Sequence, residues 1–337
     1  MSAAAPRARA LPAALLALIL AAALLPRLPV LWSSAFTLSA DEAVNALVVK
    51  HLLEGRELSL FTWDATYFGL AEGALAIPFL LALGFTPLAF KLSAVAGHLA
   101  LVAAVFLLGR RLYGTAAGLA AAALLAVFSP QLVLWSTLAS GGYCLVVAWG
   151  TLTFVLLDRQ LAVPSRRRLF ALGLMLGFGL YVYQLYLVYL AALAVWGVGL
   201  ALSGRAGAAL GATRRARWTG TGLLAGGFFL GWSPQLLALL FGARAGRVPS
   251  YDLPGVAGAA ANLRRLLFEC VPALFGVNPA GRPDLERWVG FTSPGAMPLG
   301  LLLLGAYLAA WGWGVARAWR RPWSLEGLLV LLPPVAA

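Results

Sequence analysis

Two adjacent carboxylates, Asp41 and Glu42, are the residues of this chain whose type and position most directly suggest chemistry. They follow the first hydrophobic segment of a very apolar chain. A carboxylate at the edge of a membrane span can take the proton of a hydroxyl nucleophile, and ionisable residues in such places are functional candidates. The alternative is structural, because acidic residues in the first turn of a helix also complement the helix dipole.

The segment 39–55, which carries this pair, has the sequence pattern of a helix. Ser39 is a predicted N-cap, Glu42 stands at the third position of a capping box, and Gly55 is a natural end. At about 100° per residue, Asp41 lies over the apolar face, so we expect it to point toward protein or lipid. Burial in an apolar cleft raises the pKa of a carboxylic acid toward neutral pH. The predicted apolar face consists of Val44, Leu47, Val48, His51 and Leu52.

The composition indicates an integral membrane protein, an all-α, polytopic transmembrane helix bundle. Of 337 residues, 62% are hydrophobic and 11% are charged, and the mean hydropathy is +0.88. Runs of roughly 20 apolar residues predict about 8–9 spans in this chain. The net charge of +13 is carried mainly by arginines in short loops, a signal of membrane orientation that excludes a nucleic-acid-binding stripe.

The distribution of charge also predicts the topology. Because basic residues favour the cytoplasmic side, we expect a cytoplasmic N-terminus and a first loop, 33–89, on the outer face. The apolar run 70–85 is short and contains Glu72 and Pro78. If it crossed, the later arginine clusters would lie outside, so we predict a second juxtamembrane helix there. The predicted spans are roughly 11–31, 90–109, 116–135, 141–157, 169–183, 185–202, 218–240 and 298–316.

The predicted organisation has three parts. A transmembrane module covers 1–240, a second long outer loop covers 241–297, and C-terminal spans cover 298–337. The last apolar run is too short to cross, so we expect the natural protein to be longer. A predicted helix at 256–268 carries Arg264 and Arg265, which either hold a lipid phosphate or face solvent and lipid headgroups.

Common cofactor and metal motifs are absent from the sequence. It contains no GxGxxG, Walker A, HExxH or GxSxG pattern. His51 and His98 are far apart, and Cys144 and Cys270 fit neither a metal pattern nor a disulfide framework, although the two could pair if both lie on the outer face. The sequence therefore predicts no cofactor and no metal site, although dependence on a divalent metal ion stays open.

Short motifs within residues 10–240 resemble one enzyme family. An Asp-Glu pair opens the first outer loop, two juxtamembrane helices follow, and a later span ends in Arg-Arg-Leu-Tyr-Gly. The chain resembles the GT-C glycosyltransferases related to glycosyltransferase family 39, which include protein O-mannosyltransferases and the lipid A aminoarabinose transferase. The matching positions are Ala40–Ala43, Leu52–Arg56, Tyr67, Gly69, Glu72, Arg110–Gly114 and Gly141–Tyr143.

This resemblance implies an inverting transferase in a bacterial inner (cell) membrane, with its active site on the outer face. Its partners would be the bilayer, a polyprenyl-phosphate sugar donor and a lipid, glycan or protein acceptor. Asp41 takes the place of the catalytic base, and Glu42 that of its neighbour in acceptor or donor binding. The predicted substrate-binding residues are Glu42, Tyr67, Glu72, Gly142, Tyr143, Arg264 and Arg265.

The chain departs from the family pattern in two places. Many relatives have an acidic residue in the second outer loop, where this chain has Gly142 within Ser-Gly-Gly-Tyr. Relatives with a Glu-Lys-Pro-Pro string have a lysine near the donor phosphate, whereas here Gly73 follows Glu72. The cation that would bind the phosphate is therefore open among Lys50, Lys91, Arg264 and Arg265.

Two other functional interpretations stay open. The chain could be a catalytically degenerate family member, or a non-catalytic lipid-sugar transporter or assembly protein. Transport predicts inverted repeats and charged residues within spans, whereas the charges in this sequence cluster in the predicted loops.

Overall fold

A computed structural model describes residues 4–33, 38–63, 65–127, 130–204, 210, 213–240 and 297–320, with isolated residues between 258 and 272. It has two compact units. The larger unit contains the described parts of Met1–Val127 and Trp135–Val248, and the smaller one contains those of Phe128–Leu134 and Pro249–Ala337. The candidate site lies within the larger unit.

The described chain is mainly helical, as the all-α prediction requires. Short 3-10 helices occur at Leu25–Arg27 and Gln184–Tyr186. The helices, in chain order, are α1 (Ala4–Leu24), α2 (Leu28–Ser33), α3 (Ala40–Leu53), α4 (Ala71–Leu83), α5 (Pro87–Tyr113), α6 (Thr115–Val127), α7 (Pro130–Trp135), α8 (Tyr143–Ala162), α9 (Arg166–Val182), α10 (Leu187–Leu202), α11 (Arg214–Gly231), α12 (Ser233–Leu240) and α13 (Met297–Arg320).

Helices of sufficient length and hydropathy to cross a membrane are present. There are four among the described residues, namely Leu11–Ser33, Pro87–Tyr113, Tyr143–Ala162 and Gln184–Leu202. Each predicted span overlaps one or more of the helices α1 to α13, but the total of eight or nine spans stays a prediction. The predicted juxtamembrane segment forms α4, which has 13 residues and is too short for a span of its own.

Helix α5 is the element that connects the two ends of the larger unit. Thr86 caps it, with its Oγ1 accepting a hydrogen bond from the Ala89 amide at 3.2 Å, and Pro87 occupies the first turn. Gly114 ends it with a positive φ of 91°. From Lys91 to Arg111 the helix rises about 30 Å, the thickness of a bilayer's hydrocarbon core. The two ends of α5 can therefore reach opposite headgroup layers.

Helix α3 has the predicted capping box but buries a different face. Ser39 Oγ accepts from the Glu42 amide at 3.3 Å, and Glu42 Oε2 accepts from the Ser39 amide at 2.9 Å. Asp41 is exposed and therefore does not point into the protein, which is one of the two directions that the sequence predicts. Of the predicted face, Val48 is buried and Leu52 is partly buried against the same core, whereas Leu47 is exposed. The buried residues of the helix are Glu42, Asn45, Val48 and Val49.

A two-stranded hairpin follows α3 and is absent from the all-α prediction. Strand β1 (Phe61–Thr62) pairs antiparallel with β2 (Ala65–Gly69). A Cβ on Gly69 would lie 2.5 Å from the Tyr181 ring, so the close approach of β2 to α9 requires glycine.

Helices α9 and α11 pack with their backbones in contact. A Cβ on Gly173 or Gly177 would collide with the α11 carbonyls of Leu224 and Phe228, and one on Gly227 would collide with the α9 carbonyl of Phe170. Small residues at such positions let two membrane helices approach closely.

Replacing Gly227 by Ala should destabilise the protein by about 1–3 kcal/mol, because the added methyl group forces α9 and α11 apart. Gly226→Ala is the matched control, since a Cβ there meets no atom within 4 Å. Thermal unfolding in detergent should show a lowered midpoint for Gly227→Ala and an unchanged or higher one for Gly226→Ala, because Ala is the better helix former. Equal midpoints for the two variants would contradict this packing.

Candidate functional site

Glu42 is a fully buried carboxylate whose oxygens are held from three sides. Lys91 Nζ on α5 donates to Oε1 at 2.8 Å and to Oε2 at 3.0 Å. The Ala139 amide donates to Oε1 at 3.1 Å, and the Ser39 amide donates to Oε2 at 2.9 Å. Glu42 is 0% exposed and Lys91 is 3% exposed. A buried ion pair is tolerated when additional hydrogen bonds satisfy it, as they do here.

This network changes the predicted role of Glu42. A carboxylate that accepts four hydrogen bonds within the protein has no surface left for a substrate. Glu42 instead fixes the start of α3 against α5 and against the segment that contains Ala139. We therefore assign it to positioning rather than to the predicted substrate binding.

Asp41 is the exposed member of the pair. It is the second residue of α3, and no hydrogen bond or ion pair joins its carboxylate to any residue that the structure describes. Because its neighbour Glu42 is fixed by the buried network, the backbone that carries Asp41 is fixed as well. Among the described residues, the arrangement presents one carboxylate without a partner at a helix start that the Glu42 network holds in place.

The loop between α7 and α8, residues 136–142, is held by the first loop of the chain. Glu72 Oε2, at the start of α4, accepts from the amides of Gly141 at 2.9 Å and Gly142 at 2.7 Å. Both glycines have positive φ, 133° and 78°, which turns their two N–H groups toward the same oxygen. The predicted substrate-binding residue Gly142 is thus brought together with Glu72. A carboxylate lies at this loop although the loop's own sequence has none.

Burial raises the pKa of Glu72 to about 7, from an ordinary value of 4.5. Desolvation is the largest cause, and the nearby charge of Glu42 acts in the same direction. The hydrogen bonds from Gly141 and Gly142 oppose the rise. The folded state therefore binds the Glu72 proton more tightly than the unfolded state does.

The stability of the protein should consequently fall as the pH rises through 7. The contribution of Glu72 is fully present below the unfolded pKa of about 4.5 and is lost as the pH passes the folded value of about 7. Glu72→Gln keeps an acceptor oxygen for Gly141 and Gly142 but cannot titrate. The thermal midpoint of the wild-type protein minus that of Glu72→Gln should decrease between pH 5 and pH 8. A difference that stays constant over this range would refute the assignment.

Asn45 and Tyr181 attach the segment that contains the β-hairpin to the 136–142 loop and to α9. Thr62 Oγ1 donates to Asn45 Oδ1 at 2.7 Å, and Asn45 Nδ2 donates to the Ala139 carbonyl at 3.5 Å. The Tyr181 hydroxyl donates to the Leu60 carbonyl at 2.7 Å and accepts from the Leu70 amide at 3.3 Å. The first loop, the 136–142 loop and α9 are therefore connected by directional contacts.

The predicted site residues Tyr67 and Tyr143 belong to one aromatic cluster. It consists of Tyr67, Phe68, Trp135, Tyr143 and Tyr183. Tyr143 contacts the rings of Trp135, at 4.4 Å between centroids, and Tyr183, at 5.4 Å. Tyr183 also lies 5.9 Å from Phe68 and 6.1 Å from Tyr67. The aromatic cluster is half-buried except for Phe68, which is 5% exposed.

The cation predicted to bind a lipid phosphate is not identified by these contacts. Lys91 is neutralised by Glu42, and Lys50 lies 3.8 Å from Glu54 in an exposed pair. Most of the predicted helix 256–268 lies outside the described residues. Its Arg264 and Arg265 are described, are exposed and belong to the smaller unit, where Arg265 lies 3.6 Å from Glu269.

The sequence analysis missed Arg27, a fully buried arginine within the first candidate span. Its Nε donates to Ser136 Oγ at 2.7 Å, and its Nη1 donates to the carbonyls of Ala23 and, at 2.9 Å, Ala126. Arg27 thus anchors the beginning of the 136–142 loop. The sequence signal that could have identified Arg27 is an arginine within an apolar run, because a charged side chain within a membrane span costs free energy unless it has hydrogen-bond or ion-pair partners.

No group of three His, Cys, Asp or Glu side chains suited to a metal ion occurs in the described part of the chain. Cys144 is a buried free thiol, and Cys270 lies outside the described residues.

Comparison with known proteins adds no relative, since no family model, no curated protein and no solved structure matches this chain.

Proposed function

We propose that this protein is a membrane glycosyltransferase that moves a sugar from a polyprenyl-phosphate donor to an acceptor hydroxyl, with Asp41 as general base. The observation that carries the proposal is the contrast between two adjacent carboxylates. Glu42 is buried and saturated with hydrogen bonds, whereas Asp41 is exposed at the start of the same helix. A fixed helix start that presents one free carboxylate suits general base catalysis, which depends on positioning.

In the proposed reaction, the acceptor oxygen forms a bond to the anomeric carbon of the sugar while the bond from that carbon to the donor phosphate breaks. Asp41 takes the proton of the acceptor hydroxyl, and polyprenyl phosphate leaves with the bonding electron pair. Attack opposite to the leaving group inverts the anomeric configuration. Phosphate leaves readily, so the chain's own residues need to supply only the base and the orientation of the two substrates.

The surrounding residues support a complete site rather than a degenerate one. The 136–142 loop lacks the acidic residue found in many proteins of the resembled family, but Glu72 brings a carboxylate to its backbone amides. The half-buried rings of Tyr67, Tyr143 and Tyr183 offer faces on which a sugar ring can stack. The acceptor class, lipid, glycan or protein, and a location on the outer face of a bacterial inner membrane are part of this proposal.

The experiment that tests the function is a transfer assay with the purified protein in detergent. Polyprenyl phosphate carrying a radiolabelled sugar is incubated with envelope extracts as acceptor, and the release of polyprenyl phosphate is measured. Mass spectrometry of envelope glycans from cells with and without the gene then identifies the sugar. We expect one glycan to lose a residue without the gene. Unchanged glycans together with no transfer in vitro would refute the proposal.

Lipid-sugar transport is the second candidate, and one observation favours it. Arg27 and His98 are buried ionisable residues within candidate spans, contrary to the expectation that charged groups cluster in loops. Among the described residues, Arg27 Nη2 and both ring nitrogens of His98 are buried without a hydrogen-bond partner. Such groups mark transport pathways in other membrane proteins. Movement of a labelled lipid-sugar across proteoliposomes without bond formation would favour this candidate.

A further inference from the structure

The end of the larger unit opposite to Lys91 carries a basic groove between α5, α8 and α9. Its volume is about 570 Å³, and it is lined by Arg111, Leu156, Arg159, Ala162, Val163 and Arg168. Cavities of about 300–1,000 Å³ suit small ligands and headgroups. Three guanidinium groups around one groove predict an anionic occupant.

The groove is built by specific contacts rather than by three unrelated surface arginines. Arg168 Nη1 donates to the carbonyls of Arg159 at 2.6 Å and Val163 at 2.5 Å, across the turn between α8 and α9. The buried Gln160 side chain accepts from the Ser165 amide at 3.0 Å and fixes the same turn. The position of Arg168 is therefore set before any ligand arrives.

The charges in the groove are incompletely neutralised. Arg111 Nε lies 2.6 Å from Asp158 Oδ2, so one acidic residue offsets one of the three arginines. Arg159 is exposed, and no described residue pairs with its guanidinium. Arg166 and Arg167 follow directly in the first turn of α9, which contains no acidic residue. Arg168, which lines the groove, is in the same turn, where positive charge is unfavourable, and an anion bound to Arg168 would relieve part of that charge.

The depth of the groove in the bilayer points to the source of the anion. Helix α5 passes from the buried Lys91 to Arg111 over about 30 Å, which matches the hydrocarbon thickness. With α5 spanning the bilayer, the groove would lie at headgroup level, where anionic phospholipids are the concentrated source of phosphate. Basic pockets between membrane helices bind such headgroups.

We propose that the groove formed by Arg111, Arg159 and Arg168 binds the phosphodiester headgroup of an anionic phospholipid. The site is separate from the Asp41 region and does not depend on the proposed transferase activity. Bidentate hydrogen bonds from guanidinium groups to phosphate oxygens provide the recognition.

The test is a lipid titration of the full chain in a non-ionic detergent, followed by thermal unfolding. Phosphatidylglycerol should raise the unfolding midpoint in a saturable manner, and phosphatidylcholine and inorganic phosphate at equal concentrations should not. Arg159→Gln should raise the half-saturating concentration of phosphatidylglycerol about tenfold. Because Arg159 is exposed and unpaired among the described residues, its replacement should leave the lipid-free midpoint unchanged.

Arg167→Gln is the matched control, because it removes the same charge from the same cluster but does not line this groove. The half-saturating concentration for that variant should stay within about twofold of the wild-type value. Equal weakening by both substitutions would overturn the proposal in favour of diffuse charge attraction. A midpoint increase by inorganic phosphate equal to that by phosphatidylglycerol would also overturn it, since the groove would then take free phosphate.

Discussion

Replacing Asp41 by Asn should reduce sugar transfer by about a hundredfold to ten-thousandfold while leaving the protein folded and in the membrane. The amide keeps the size and most of the polarity of the carboxylate but cannot accept the proton of the acceptor hydroxyl. Because Asp41 is exposed and makes no ion pair with a described residue, its replacement removes no side-chain contact among the residues that the structure describes. The measurement is release of polyprenyl phosphate from the labelled donor at saturating acceptor.

Glu54→Gln provides the control for this experiment. Glu54 is a partly exposed carboxylate at the other end of α3, where it pairs with Lys50 at 3.8 Å and Arg56 at 2.9 Å. Its loss changes the net charge by the same amount and should leave the transfer rate unchanged. Transfer by Asp41→Asn at the wild-type rate would remove Asp41 from the mechanism, whatever the activity of the control.

Breaking the buried pair of Glu42 and Lys91 should have the largest effect on stability. Glu42→Gln or Lys91→Met leaves one uncompensated buried charge, so each should lower the free energy of unfolding by about 3–5 kcal/mol. The double variant should be more stable than the sum of the two losses predicts, because no lone charge is left. Denaturant unfolding in detergent measures all three differences.

The exposed pair of Lys50 and Glu54 is the comparison for this cycle. Its side chains are 45% and 32% exposed, so Glu54→Gln should change the free energy of unfolding by less than about 1 kcal/mol. The importance of the buried pair for stability would be contradicted if Glu42→Gln and Lys91→Met lowered the free energy of unfolding no more than Glu54→Gln does. It would also be contradicted if the effects of the two single variants were additive in the double variant.

The parts of this fold that depend only on residues close together in the sequence could be predicted from it. The capping box of Ser39 and Glu42 and the end of α3 near Gly55 require only local hydrogen bonds and backbone freedom. The start of α5 also has local causes, the Thr86 cap and Pro87 in the first turn, although the predicted span begins at residue 90. The long apolar runs became helices because residues within each run satisfy the backbone.

The buried face of α3 could not be predicted because its partners are distant in the chain. Glu42 is 49 residues from Lys91 and 97 from Ala139, and a periodicity argument treats such a glutamate as a surface residue. The same holds for Glu72, which is 69 residues from Gly141. Hydrogen bonds and an ion pair between polar residues that are distant in the chain determine the buried face of α3, rather than its hydrophobic pattern. Asn45 is therefore buried and Leu47 is exposed.

The central claim is that Asp41 faces the outer side of the membrane while the arginine groove faces the cytoplasm. Ala40→Cys and Ala162→Cys, made separately in a chain with Cys144 and Cys270 replaced by Ala, report on these two sides, since both alanines are exposed. In intact spheroplasts, a membrane-impermeant maleimide should label residue 40 at once and residue 162 only after permeabilisation. Labelling of residue 162 but not residue 40 before permeabilisation would contradict the account.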